Sequence, residues 1–190
     1  MAAPRPAAIA SAPVSPVRPS PGTPPPAALW QTALEIPLGG AAPDGPLAVL
    51  FVSVEWGLAL SGDTRALFDR QVAAMKLAPS QAGLLRMTWT GADEPHAGAL
   101  AQAHAGVVAA ADQGRPRALV LFGGFSMRAM AGGQLGGSLV ASRGRWITWE
   151  SAGRSIAAVA TWHPGQLGMD RERRAQTWED LKSVCAKLGI

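Results

Sequence analysis

The sequence predicts an α/β protein, a three-layer α/β/α sandwich around a mostly parallel central sheet. Three observations lead there. The runs Leu47–Val54 and Ala118–Phe122 are near-continuously apolar, with the length and the flanking Gly and Pro of strands buried on both faces. Segments of helical periodicity stand between such runs. Strand and helix signals then alternate along the chain, the order that builds crossover units on a parallel sheet.

Residues 1–45 read as a Pro/Ala-rich tail and residues 46–190 as one domain. Nine of the 16 prolines precede Ala27. Proline fixes φ and removes backbone donors, so this stretch favours extended polyproline II and is expected to be a disordered spacer or a tether. Within the tail, 28–36 carries Leu29, Trp30 and Leu34 as candidate partner-binding residues. They belong either to a peptide offered to another protein or to a short helix docking on its own domain, with docking favoured.

The domain begins with the strand Leu47–Val54. Ser61-Gly62-Asp63 signals a helix start, with Asp63 able to accept from first-turn amides. Leu67, Phe68, Val72 and Met75 then share one face of a helix ending near Leu77, before Pro79. A second strand covers Leu84–Trp89, and an alanine-rich helix runs from His96 to Asp112. Ala118–Phe122 is the third buried strand, followed by a Gly123-Gly124 turn and a short helix, Phe125–Met130. A glycine-rich loop through Gly132, Gly133, Gly136 and Gly137 leads to the strands Arg145–Glu150 and Ser155–Thr161. The last helix aligns Trp178, Leu181, Cys185 and Leu188.

Composition narrows the function. A single cysteine, Cys185, excludes an internal disulfide and a multi-cysteine iron–sulfur or metal site, and it reads as an inert buried thiol. His96 and His104, eight apart, read as solvent-facing and make a poor metal site, so no metal and no cofactor is expected. No run approaches the roughly 20 apolar residues of a membrane span, and prolines break any signal-peptide core. A cytoplasmic protein is the expectation. The net charge is +4, and Arg5 and Arg18 supply two of those units. That balance permits DNA contact without arguing for it. Gly123-Gly124 lacks a Walker lysine or a dinucleotide fingerprint, so it reads as a structural turn.

The motif richest in chemistry is ATWHPGQLGMDRERRAQTWEDLKSV, residues 160–184. It sets a His-Pro-Gly turn after an apolar strand and before a charged helix, which presents His163 at the carboxyl edge of the sheet, where open α/β sheets bind ligands. With LAVLFVSVEWG, ALFDRQVAAMKL and ALVLFGGFSMRAMAG it follows the order of the uracil-DNA glycosylase superfamily, and it resembles that family's iron–sulfur branch from about Pro46 to Leu188. The resemblance implies a base flipped from the stack, held by hydrogen bonds and stacking, and displaced by water. His163 matches the family's histidine, which stabilises the charge on the leaving base.

Other family positions differ here. Where the family has a Gly-Glu-Ala-Pro-Gly type loop, this chain has Ser53-Val54-Glu55-Trp56-Gly57. Val54 takes the place of the water-orienting residue, and Glu55 follows one position later, which on extended backbone faces the opposite side. Trp56 stands for a proline and reads as a lid or plug. The loop that carries the stacking aromatic is shortened to Leu58-Ala59-Leu60, and Arg86-Met87-Thr88-Trp89 holds no base-reading asparagine. The cluster cysteines are absent. His163 and Glu55 are therefore the candidate catalytic residues of an eroded site, and Trp162 is read as packing.

The layout also resembles the psi subunits of the bacterial DNA polymerase III clamp loader, glycosylase folds emptied of catalytic residues. That resemblance implies an N-terminal segment that binds the clamp-loader collar and a domain that binds the chi subunit. Arg143, Arg145, Arg171 and Arg174 are candidate DNA-binding residues in one basic patch. The expectation is a non-catalytic interaction subunit in DNA replication or repair, with replisome or clamp-loader partners. The alternatives are a repair glycosylase that uses His163, and a nucleic-acid-binding accessory protein.

Overall fold

The structure, a computed structural model, describes residues 29–38, 45–131, 137–151 and 153–190. The expected disorder of residues 1–28 and the loop glycines Gly132, Gly133 and Gly136 lie outside the described residues.

Among the described residues, six strands form one mixed sheet: β1 (Trp30–Glu35), β2 (Val49–Glu55), β3 (Ala82–Trp89), β4 (Ala118–Phe122), β5 (Trp146–Ser151) and β6 (Arg154–Thr161). Their spatial order is β1-β3-β2-β4-β6-β5. β3, β2, β4 and β6 run parallel, while β1 and β5 pair antiparallel at the two edges. The helices are α1 (Gly62–Ala74), α2 (Ala97–Gly114), α3 (Gly123–Ala131), α4 (Leu139–Ser142) and α5 (Arg171–Leu188).

Strand alternation sorts the core into two halves. Val49 and Phe51 of β2, with Val120 and Phe122 of β4, face Phe68, Val72 and Met75 at α1 and Leu181, Val184 and Leu188 of α5. Leu50, Val52 and Val54, with Leu119 and Leu121, face Ala103 and Val107 of α2 and Met127 and Met130 of α3. The rings of Phe51, Phe68 and Phe122 meet at centroid distances of 5.1 to 5.9 Å. Each such pair adds about 0.5–1.5 kcal/mol beyond its area burial.

This topology creates a switch point. From β2 the chain crosses through α1 to β3 on one side, and from β3 it crosses back through α2 to β4 on the other. The two crossovers diverge between β2 and β4, which leaves a crevice at their carboxyl ends.

Several boundaries and faces differ from the sequence reading. Trp30–Glu35 docks on its own domain as an edge strand rather than a helix, in register with β3 from Trp30↔Trp89 to Glu35↔Leu84. Its sequence does not alternate strictly, and pairing with β3 fixes it as a strand; Trp30 packs against Trp89 at 5.0 Å. Arg65 of α1 clamps Glu35 with two bonds, of 2.7 and 2.9 Å. α1 is capped at Ser61 rather than Asp63 and ends at Ala74, with Lys76 at φ 59° turning the chain. α3 begins at Gly123, directly on the strand end. On α5 the buried stripe is Thr177, Asp180, Leu181, Val184 and Leu188, so Trp178 lies at the surface and Cys185 is half-buried. The reason is that Asp180 turns inward to bond Thr161 and Arg143, which rotates the helix away from the stripe that hydrophobicity alone selects.

Candidate functional site

The crevice at the switch point opens into a hollow of about 300 Å³. That is the lower end of the roughly 300–1,000 Å³ range of small-molecule sites. Val54 and Met127 line its apolar side, Trp56, Phe125 and Trp162 supply aromatic surface, and His163 and Gln166 supply polar groups. Trp56 meets Phe125 edge to face at 5.8 Å, so it serves as a wall, and Leu58 stands exposed at the rim. Neither residue fills the space.

The backbone around the hollow is held by specific groups. Ser126 of α3 accepts from the Val54 amide at 2.8 Å and donates to the Phe122 carbonyl at 2.6 Å, which ties the ends of β2 and β4 to the start of α3. Gly123 adopts φ +80°, and a Cβ there would sit 3.3 Å from the Cβ of His163. Glycine is thus required both by conformation and by the closeness of the histidine turn.

His163 caps the short 3-10 turn Pro164–Gln166. Its Nδ1 accepts from the Gly165 amide at 3.0 Å, which places the ring proton on Nε2. Nε2 lies 3.0 Å from Ser53 Oγ, and Ser53 in turn donates to Glu55 Oε1 at 2.8 Å. The ring edge also packs on Phe122, 6.4 Å between centroids. The result is a relay of His163 to Ser53 to Glu55, buried at the end of β2.

Glu55 is fully enclosed, its side chain 0% exposed and that of His163 3%. Beyond Ser53, the carboxylate accepts from the Leu60 amide at 3.3 Å and from Thr88 Oγ1 at 3.2 Å. The imidazole Nε2 lies 3.7 Å from Oε1. Burial pushes the Glu55 carboxyl up, but the neighbouring imidazole and the Ser53 and Thr88 hydroxyls outweigh it and hold the group below its ordinary value. Alternation along β2 puts Ser53 and Glu55 on the side of Phe51 and α1, and Val54 on the side of α3. The hollow's apolar side therefore receives valine, while the acid one residue later is spent on internal bonds. Glu55 borders the hollow, yet its side chain is 0% exposed.

The four arginines expected to form a basic patch lie at the same end of the sheet, but their states differ. Arg143 pairs with the buried Asp180 at 2.9 Å and is held there by the Gln176 carbonyl. Arg145 and Arg171 are exposed, and Arg174 is exposed while donating to the Gly168 carbonyl. Arg173 covers the Trp162 ring at 4.8 Å, and Trp162 donates to Gln176 at 2.8 Å, so Trp162 is both packed and part of the hollow.

Leu29 and Leu34 are exposed at 37% and 38%, while Trp30 turns inward and donates to the Ala99 carbonyl. His96 is exposed, as expected, while capping α2 by accepting from the Ala99 amide, whereas His104 is half-buried against the Ala129 carbonyl and Trp149.

Sequence reasoning passed over Ser53, Thr88, Ser126 and Asp180. Ser53, Thr88 and Ser126 are polar residues inside largely apolar segments, and that pattern is itself the available signal, because a buried polar group needs a partner; Asp180, in the charged helix α5, carries no such signal. Among the described residues no helix is long and apolar enough to cross a membrane, and no group of three or more His, Cys, Asp or Glu side chains is placed to hold a metal. No protein-family model matches the chain, and no curated protein matches it.

Proposed function

We propose that this chain is a non-catalytic protein of the uracil-DNA glycosylase type, an α/β/α sandwich that works as an interaction subunit in DNA replication or repair, as psi subunits do in the clamp loader. One observation carries the reading. The two candidate catalytic groups, His163 and Glu55, border the hollow, but both ring nitrogens and the carboxylate are already engaged by Gly165, Ser53, Leu60 and Thr88. Hydrolytic base removal needs a positioned water and a donor on the leaving base, and losing one positioned group of this kind typically costs about 10²–10³ in rate. Val54 supplies neither. The exposed Arg145, Arg171 and Arg174 would serve DNA contact in such an assembly.

The test is co-purification of the full chain with clamp-loader subunits, compared with a chain that lacks residues 1–28. The truncation stops there because Trp30–Glu35 is a strand of the sheet. Association that depends on the removed segment supports the reading, and no association with any replication protein overturns it.

A second reading has its own observation. The hollow beside His163 is open instead of filled by Trp56 and Leu58, as a repair glycosylase would require. Release of uracil from DNA, abolished by His163→Ala, would favour that reading over the first.

A further inference from the structure

We infer that the aromatic hollow is a docking groove for the proline-rich N-terminal segment of this same chain, residues 13–19. The hollow presents Trp56, Phe125 and Trp162 around an apolar floor, with Arg128 over one face of Phe125 and Arg173 over one face of Trp162, so each of those two rings has one face left for a proline. Aromatic-lined grooves are the surfaces that take proline-rich segments, because the preformed polyproline II helix loses little entropy on binding and its rings lie flat on indole and phenyl faces. An indole N–H that donates to a peptide carbonyl completes such a groove. Trp162 spends its N–H on Gln176, whereas the Trp56 N–H meets no acceptor among the described residues.

The segment has the matching period. Pro13, Pro16 and Pro19 recur every third residue, and three residues make one turn of polyproline II, so the three rings share a face. Geometry brings the segment to the groove. Trp30 pairs with Trp89, the last residue of β3, so the tail enters the fold at the carboxyl edge where the hollow opens. Trp30 also packs against the core half on the α2 side of the sheet, the half to which Val54 and Met127 of the hollow belong. The crevice between β2 and β4 lies about 12 Å from β1, counted in sheet spacings. Pro19 stands ten residues before Leu29, a polyproline II reach on the order of 30 Å. The tail spans the gap with slack. This occupancy holds whether or not the protein acts in a replisome, and it makes the tail a segment that a partner must first draw off the domain.

The test places a photo-crosslinking benzoylphenylalanine at Val17 of the full chain, with the products mapped by mass spectrometry. The expected result is crosslinks within one chain to 54–58, 123–128 or 162–166, with a yield independent of protein concentration. Replacing Pro13, Pro16 and Pro19 with alanine leaves the domain untouched and is expected to cut that yield roughly tenfold or more, the scale of losing anchor residues. Trp56→Ala is expected to do the same. Crosslinks between two chains that rise with concentration, crosslinks to any other part of the domain, no crosslinks, or a yield unmoved by the proline substitutions would each overturn the inference. A co-purification failure with clamp-loader subunits would leave these products unchanged, so the two ideas fail separately.

Discussion

Ser53 Oγ lies 3.0 Å from Nε2 of His163 and passes its own proton toward Glu55, 2.8 Å away. The imidazole is thereby a structural donor at the end of β2. Its second nitrogen is already engaged by the Gly165 amide. Ser53→Ala removes the acceptor of Nε2 and a donor to Glu55 at a buried position. A buried polar group left unpaired costs about 1–3 kcal/mol. Urea unfolding of Ser53→Ala should show a loss of that size at unchanged m-value. A loss below about 0.5 kcal/mol, the usual range of a surface change, would mean that the relay does not hold the turn.

Glu55 predicts a pH dependence. Its carboxyl is held below the ordinary 4.5 in the folded protein. The unfolded chain therefore binds the proton first as pH falls, and ionised Glu55 contributes stability that is fully present above pH 4.5 and fades as pH drops through the folded value. Glu55→Gln should remove this contribution. The difference in melting temperature between wild type and Glu55→Gln is expected to be largest near neutral pH and to narrow below 4.5. A difference that grows on acidification would reverse the sign and contradict the assignment.

Asp180 and Arg143 give a third test. Asp180 accepts from Thr161 at 2.7 Å and from Arg143 at 2.9 Å, and a Cβ on Gly144 would stand 2.7 Å from its Oδ1. Burial pushes the Asp180 carboxyl up against the lowering pull of Thr161 and Arg143. Breaking a buried pair by removing one partner costs about 3–5 kcal/mol. Arg143→Ala, with its side chain about a quarter exposed, belongs at the low end. Chemical denaturation checks this, and Arg143→Ala should cost far more than Arg145→Ala, which removes an exposed charge.

The fourth concerns β1. Trp30→Ala deletes the contact with Trp89 and the bond to Ala99, and large-to-small changes of this kind cost about 3–5 kcal/mol when fully buried. Trp30 is half-buried, so about 2–3 kcal/mol is expected from the same scale. Hydrogen exchange should quicken first at the β3 amides that pair with β1. Exchange that quickens equally in β4 would show that β1 is not a separable edge.

Much of this architecture was legible in the chain. The runs Leu47–Val54 and Ala118–Phe122 are apolar on both faces because they sit at the centre of the sheet, and that lack of alternation is visible without coordinates. β1 was harder. Its WQTALE pattern fits a short amphipathic helix or an edge strand, and pairing with β3 decides between them. On α5 the stripe held at Leu181, Leu188 and the half-buried Cys185 and missed only at Trp178, which hydrophobicity places inside while the bonds of Asp180 to Thr161 and Arg143 turn it out. At the site, His163 and Glu55 were visible as residues and the period of 2 in β2 foretold that Glu55 faces away from Val54. Ser53 as the link between them was not visible, because nothing local to Ser53 reports a histidine 110 positions away.

The central claim is that the enclosed relay of His163, Ser53 and Glu55 performs no hydrolysis, and it is tested most directly by single-turnover assay of the full chain on uracil-containing single- and double-stranded DNA. The account predicts no base release above the rate without protein, and no change on His163→Ala. Uracil release by the wild-type chain that disappears in His163→Ala, with the variant still folded, would contradict it.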